Sequence, residues 1–337
     1  MLLNGRQLSS QALPEDNDKS LRPQKISEYV GQREIIENLH VFMEAARKRG
    51  EPLDHILLSG PPGLGKTTLA QLVAAEMGVE IKITSGPSIA RPIDILVLLH
   101  ALKPGQVLFI DEIHRLSRLV EEVLYPVMED LSFDSIISKG NAKGGVRHKV
   151  SPFTLVGATT RSGAISSPLR SRFGILFQLD FYSHEELAHI IERTAGLLNI
   201  DIDGGGSLEI ARRSRGTPRI ANRLIKRVRD FAQVKGAKSI DQKLAAYALE
   251  RMSIDECGLD LIDRRILDLL VNMYKGKPVG LSTLAAAIGE EADNLEDVYE
   301  PYLLANGFIM KTARGRMAGP RAYEHLHVNP PAEFCED

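Results

Sequence analysis

Cysteine is nearly absent. The chain holds two, Cys257 and Cys335, far apart and without paired spacing, which excludes a disulfide framework and a zinc module and makes a reducing cytoplasm the expected location. Also lacking is any apolar run near the ~18 residues that span a bilayer, and the opening Met1-Leu-Leu-Asn-Gly-Arg6 turns polar too soon for a secretory leader. Net charge is almost missing as well: 42 Lys and Arg against 44 Asp and Glu give -2, with a pI near 6.5. A generally basic nucleic-acid coat is thereby excluded, so any DNA contact has to come from a local patch. No internal repeat is found. What is present is an ordinary globular composition, 43% hydrophobic and 26% charged, in 337 residues, enough for two or three domains with a core each.

The strongest signal is Gly60-Pro-Pro-Gly-Leu-Gly-Lys66-Thr67, preceded by the apolar run His55-Ile-Leu-Leu-Ser59. The run reads as a buried parallel strand that the glycines turn tightly into a helix beginning near Thr67. In such a cradle Gly60, Gly63 and Gly65 let backbone N–H groups crowd round phosphates. Lys66 adds a point charge on the β- and γ-phosphates, and the Thr67 hydroxyl suits magnesium at the positive end of the helix. Chance writes this pattern in on the order of one chain in a hundred of this length, so a plain glycine turn is the minority reading.

Along the chain, residues 1 to 19 are polar and acidic without periodicity and read as a flexible tail. Residues 20 to 182 alternate helix-like and strand-like segments. A helix from about Glu34 to Arg49 carries Ile35, Leu39, Phe42 and Met43 at core spacing. Segments near 79–84, 93–102, 107–110, 118–128 and 153–157 then continue the alternation, which predicts an α/β fold with a doubly wound parallel sheet. From Ser183, whose capping box closes with Glu186, the pattern is purely helical through about residue 253. The expected helices there are 184–198, 207–213, 218–235 and 241–252. Residues 254 to 328 carry helices near 260–274, 281–288 and 294–306, followed by an alternating hairpin around Arg314-Gly315, the pattern of a winged helix. Residues 329–337 read as a second flexible tail.

Further motifs give the cradle its chemistry. Val107-Leu-Phe-Ile110-Asp111-Glu112 delivers two carboxylates at the end of a buried strand: Asp111 suits the magnesium shell and Glu112 suits polarising an attacking water. The bland alternative is an acidic helix N-terminus. Leu155-Val-Gly157-Ala-Thr-Thr160-Arg161 ends another strand in hydroxyls, with Thr160 placed to sense a γ-phosphate or hold the lytic water. Ser167-Pro-Leu-Arg170-Ser-Arg172-Phe173-Gly174 sets two arginines on a short helix at a domain edge, where they could equally be a solvated face. Gly216-Thr-Pro218-Arg219 starts a helix with proline at its first position and aims Arg219 towards a neighbouring site.

In this order, Gly60 to Thr67, Phe109 to Glu112, Gly157 to Arg161, Ser171-Arg172-Phe173 and Gly216 to Arg219 resemble Walker A, Walker B, sensor 1, the arginine finger and sensor 2 of the AAA+ ATPases. More specifically, the chain resembles the RuvB family of bacterial Holliday junction branch-migration ATPases. That likeness is carried by Leu21-Arg-Pro, Asp54-His55, Gly60 to Thr68, Phe109 to Leu116, Glu121-Glu-Val-Leu-Tyr-Pro126, Gly157 to Arg161, Arg215 to Arg223 and Arg314-Gly-Arg-Met317, and it covers about residues 20 to 328. The resemblance implies a homohexameric ring around duplex DNA, with ATP and Mg2+ bound between subunits, serving recombination and repair. It further implies that Leu21, Arg22, Tyr29 and Val30 flank the adenine and that Gly63, Leu64, Gly65, Lys66, Thr67 and Thr68 line the phosphates. Tyr182, Pro218 and Arg219 would close the pocket from the helical domain, and Arg172 would reach into the adjacent subunit's site, with Arg170 as the rival.

Partners follow in the same way. The stretch 131–150, with Lys139, Lys143, Arg147 and Lys149, reads as a hairpin that in the family resembles the docking site for a RuvA-like junction-binding protein; DNA contact and a solvated hairpin are the alternatives. A RuvC-like resolvase is a further implied partner. In the winged helix the acidic stretch Glu290 to Glu300 carries no Lys or Arg and is a poor match for the major groove. The wing bears Lys311, Arg314, Arg316 and Arg321; of these Lys311, Arg314 and Arg316 are the expected duplex contacts, made without regard to sequence. A different class, an ATP-switched initiator or loader with the same motifs, needs base readout or a client interface. An unfoldase would offer an aromatic pore loop, and Ser85-Gly-Pro-Ser-Ile-Ala90 has none.

Overall fold

The computed structural model describes residues 21–139 and 142–330, with backbone alone at 135–139 and 142–145. Both expected tails lie wholly or mostly outside the described residues. The chain forms two compact units, one of Arg22–Gly60 with Gly65–Asp180, the other of Pro61–Leu64 with Leu21 and the chain from Phe181.

The first unit is a parallel sheet flanked by helices. Its elements are α1 (Arg33–Arg49), β1 (Ile56–Ser59), α2 (Lys66–Met77), β2 (Ile81–Ser85), α3 (Pro92–His100), β3 (Val107–Asp111), α4 (Arg118–Asp130), β4 (Ser132–Lys139), β5 (Ala142–Lys149), β6 (Thr154–Thr159), α5 (Ser167–Arg170) and β7 (Ile175–Gln178). Five strands pair in the order β2-β3-β6-β1-β7, all parallel. The central strands are buried along their length, Leu108, Phe109, Ile110, Leu155 and Val156 completely, because helices cover both faces of such a sheet and select continuous apolar runs. Strands β1, β3 and β6 are neighbours, so their C-terminal ends form one row, where ligands of open α/β sheets bind. Strands β4 and β5 make a separate antiparallel hairpin, Phe133 opposite His148.

One expectation in this unit needs correction. Phe42 is 39% exposed, on the rim of the apolar stripe, where it stacks on Phe177 at 6.5 Å; the buried face of α1 is Ile35, Leu39, Met43 and Ala46. Edge strand β7 carries no sequence signal of its own, being four residues long and half covered.

The second unit begins with α6 (His184–Leu197), α7 (Gly204–Arg212), α8 (Pro218–Lys235) and α9 (Gln242–Arg251). The expected capping box is in place: Ser183 N–H donates to Glu186 Oε2 at 2.8 Å, and Glu186 N–H donates back to Ser183 Oγ at 3.2 Å. It continues with α10 (Leu261–Asp268), which runs on as a π turn through Met273, then α11 (Leu281–Ile288) and α12 (Ala292–Asn294). A second π turn, Leu295–Tyr299, leads into α13 (Glu300–Ala305), followed by β8 (Ile309–Thr312), β9 (Gly315–Ala318) and α14 (Pro320–His325). A core of Leu259, Ile266, Leu270, Leu284, Leu295, Leu303 and Phe308 closes the winged helix. The four-helix segment is tied to it by Arg215. This residue is 2% exposed, has φ +53°, donates to Gly258 O at 2.7 Å and ion-pairs with Asp263. Burial pushes the Asp263 carboxyl upward, and the Arg215 charge opposes that rise.

Candidate nucleotide and DNA sites

In the first unit the phosphate cradle is assembled at the N-terminus of α2. Gly60 N–H donates to Thr159 O at 3.2 Å, which ties the loop to β6. Lys66, 8% exposed, folds back so that Nζ donates to Gly60 O at 2.7 Å. No side chain caps α2, so the N–H groups of its first turn, with Thr67 and Thr68 at its second and third positions, form the kind of helix end that suits an anion. Gly65 has φ +101°, and a Cβ there would stand 2.9 Å from the Tyr29 hydroxyl. Tyr29 therefore lies against Gly65 at the end of the loop, and Arg22 donates to Gln71 of α2 at 3.4 Å.

At the end of β3, Asp111 Oδ1 accepts the Glu112 N–H at 3.0 Å. Glu112 takes a left-handed conformation, φ +49°, and its Oε2 pairs with Arg115 at 3.3 Å, both side chains about half exposed. Such a pair contributes little and leaves the carboxylate free to turn. Beside it β6 ends in Thr159, 1% exposed, whose Oγ1 lies 3.0 Å from His114 Nδ1 and accepts the Arg161 N–H at 3.0 Å. The hydroxyl committed to the protein is thus Thr159, while Thr160, the expected sensor, is half-buried one step on. His114 and Thr159 were not singled out in the sequence, since neither spacing nor residue type marks a strand-end hydroxyl that bonds an imidazole 45 residues away.

Within the second unit, Gly63 and Leu64 meet Arg219 and Tyr182, whereas Leu21 is held by Arg193. Tyr182 donates its hydroxyl to Leu64 O at 3.2 Å and its N–H to Gly216 O at 2.9 Å. Arg219 N–H donates to Gly63 O at 3.4 Å, with Pro218 at the first position of α8. A Cβ on Gly63, φ +85°, would meet Thr217 Cγ2 at 2.6 Å and Arg219 Cβ at 3.2 Å, so only glycine lets the loop pass that close. Arg193, from the middle of α6, donates to Leu21 O at 2.8 Å; nothing in an amphipathic helix distinguishes it in advance.

Of the two arginines around α5, Arg170 is exposed and Arg172 is docked on its own fold. Arg172 Nη1 donates to Pro168 O at 2.6 Å, Nη2 pairs with Glu129 at 3.2 Å, and the guanidinium lies 4.5 Å from the Tyr125 ring centroid.

Arg316, read as a phosphate contact, is 8% exposed and forms a two-pronged ion pair with Glu300, Nε to Oε1 at 2.5 Å and Nη2 to Oε2 at 3.0 Å. Its own fold uses this guanidinium, and the Glu300 contact holds its proton more tightly. Lys311 is half exposed and pairs with Glu296 at 2.8 Å. The acidic stretch that suited no major groove therefore supplies the ion-pair partners of Lys311 and Arg316. Arg314 at the hairpin tip is exposed and, among the described residues, has no ion pair. In the hairpin β4–β5, Phe133 stacks on His148 at 4.9 Å and Arg147 is held at the base by Ser132 and Asp130, at 2.9 Å and 3.3 Å. The side chains of Lys139 and Lys143 lie outside the described residues.

A five-stranded parallel sheet in this order, with a phosphate loop after β1, paired acids after β3 and hydroxyls after β6, defines an AAA+ P-loop ATPase; here a helical domain and a winged helix follow it. Three family models match in succession: the Holliday junction DNA helicase RuvB P-loop domain over residues 21–179, the RuvB AAA lid domain over 182–255 and the RuvB C-terminal winged helix domain over 256–327. The chain belongs to the RuvB family. It is similar to the Thermotoga maritima RuvB Holliday junction branch migration motor, with 49% identity and a TM-score of 0.85 over 93% of this chain and 100% of that one. A threonine-to-valine form of T. maritima RuvB matches equally, at 49%, 0.85, 93% and 100%. An alanine-to-serine mutant matches at 50% identity and a TM-score of 0.85, over 92% and 99%. Among the described residues no helix is long and apolar enough to cross a membrane.

Proposed function

We propose that the chain is an ATP-hydrolysing DNA motor that drives branch migration of Holliday junctions in recombination and repair. The observation that carries this is the near-half identity to a branch migration motor, unbroken across phosphate loop, lid and winged helix. Moving a junction exchanges base pairs for equivalent ones, each stacking step being worth about 1.4 kcal/mol, so homologous arms change little in net energy and hydrolysis supplies direction.

In this reading Lys66 and the open N–H groups of α2 bind the phosphates, and Glu112 orients and deprotonates the attacking water. Thr160 senses the γ-phosphate. Leu21, Arg22, Tyr29 and Val30 flank the base, and Tyr182, Pro218 and Arg219 close over the nucleotide. A magnesium ion fits Thr67 and Asp111, two hard oxygen donors, the second oriented by the Glu112 N–H and without an ion pair among the described residues. That ion neutralises phosphate charge when bound. Arg172 completes the site of an adjacent subunit in a homohexameric ring, a contribution of the order of 10³ to 10⁵ in kcat. Exposed Arg314, with Lys311, touches duplex phosphates of any sequence. Hairpin 131–150 docks a RuvA-like junction-binding protein in the cytoplasm, where a RuvC-like resolvase is a further partner.

The test is ATP hydrolysis with duplexes of unrelated sequence. Equal stimulation by all of them is expected, whereas stimulation by one sequence alone would replace the motor with an ATP-switched factor.

A further inference from the structure

The motif Glu121-Glu-Val-Leu-Tyr-Pro126 has no place in the nucleotide site described above. Two of its members, one turn apart on α4, build instead a platform under Arg172. Glu121 is 6% exposed, and its Oε2 accepts the Ser166 hydroxyl at 2.6 Å and the Tyr125 hydroxyl at 2.9 Å. Ser166 is also the cap of α5, its Oγ accepting the Leu169 N–H at 3.3 Å. One buried carboxylate thereby locks the Tyr125 ring to the short helix that leads to Arg172. Over the face of that ring sits the Arg172 guanidinium, its Cζ 4.5 Å from the centroid.

The rest of the head is held differently. Pro168 O takes one nitrogen at 2.6 Å and Glu129 another at 3.2 Å, while Nε is buried with no acceptor among the described residues. Glu129 is 57% exposed, so water and salt weaken that pair and a phosphate can replace it. A ring face attracts the cation without neutralising it, so this contact can persist while the anionic partner changes. A guanidinium that meets charge developing on a phosphate acts best when already oriented.

We propose that Tyr125, fixed by Glu121 and Ser166, is the positioning residue of the arginine finger: its ring seats the Arg172 guanidinium for the neighbouring subunit's γ-phosphate, which displaces Glu129. The proposal rests on Arg172 acting in trans, as inferred under Proposed function.

Tyr125→Leu removes the ring, and kcat should fall about 5- to 30-fold with the KM for ATP unchanged. Mixing these subunits with Lys66→Ala subunits should restore hydrolysis, because the Lys66→Ala subunit brings an intact finger to the intact phosphate loop of its neighbour. Tyr125→Phe keeps the face but loses the bonds to Glu121 and Ser166, and its rate should fall between those of the wild type and Tyr125→Leu. Trifluorophenylalanine at 125 has nearly the same shape but an electron-poor ring, and should be slower than phenylalanine even if the leucine variant fails to fold. Equal rates for the two phenylalanines would overturn the proposal, as would a Tyr125→Leu defect that mixing does not repair while Arg172→Ala is repaired. If mixing repairs neither, the trans reading of Arg172 is itself wrong and the seat falls with it.

Discussion

Replacing Arg316 separates a structural wing from a wing that reads phosphates. Arg316→Ala deletes a guanidinium bound at two points to Glu300, whose residue exposure is 2%. The carboxylate left behind is desolvated and unpaired, since Lys311 engages Glu296 rather than Glu300. Breaking a buried pair in this way costs about 3 to 5 kcal/mol, whereas an exposed phosphate contact would cost nothing in stability. At about 1.4 kcal/mol per decade, amides of the winged helix should exchange with solvent roughly two to three and a half powers of ten faster. Replacing both partners by apolar residues of similar volume should recover most of that stability. Arg314→Ala should leave exchange unchanged, weaken duplex binding alike across sequences and reduce the salt slope by about one. An Arg316→Ala protein with wild-type exchange and a selective loss of duplex affinity would refute the reasoning.

Glu112→Gln should bind ATP normally yet stop turnover, and ordinary hydrolysis in that variant would remove Glu112 from the chemistry. Arg172→Ala and Lys66→Ala subunits, each inactive alone, should regain ATPase activity when mixed; no recovery at any ratio counts against a shared site. His55 accepts the Leu155 N–H on Nδ1 at 2.9 Å, and burial holds its pKa below the ordinary value of 6.5. The unfolded chain therefore binds the extra proton, and stability should fall as pH drops from about 6.5 towards the lower folded value. His55→Gln should flatten that part of the profile, and an unchanged slope would exclude His55 as its source.

The sheet was legible because parallel strands buried on both faces need continuous apolar runs, and 107–110 and 155–156 are such runs. The phosphate loop was legible because backbone crowding leaves glycine few substitutes. What escaped depends on neighbours far along the chain. Gly204 to Gly206 open α7 although glycine disfavours helices, held there by Asp203, which accepts the Gly206 N–H at 2.7 Å. Phe42 shares the spacing of its buried neighbours but sits at the rim of their stripe. Arg316 and Arg314 are two residues apart with the same charge, and only the fold brings Glu300 to one of them. The acidic stretch that argued against base readout proved to be the partner of two of the wing's cations, Lys311 and Arg316.

The central claim, that this ATPase moves a junction, is tested most directly by incubating a synthetic four-way junction with the protein, ATP and a junction-binding partner. The account predicts separation into duplex products with the wild-type chain and none with Lys66→Ala. A wild-type protein that hydrolyses ATP on the junction yet leaves its arms joined would contradict it.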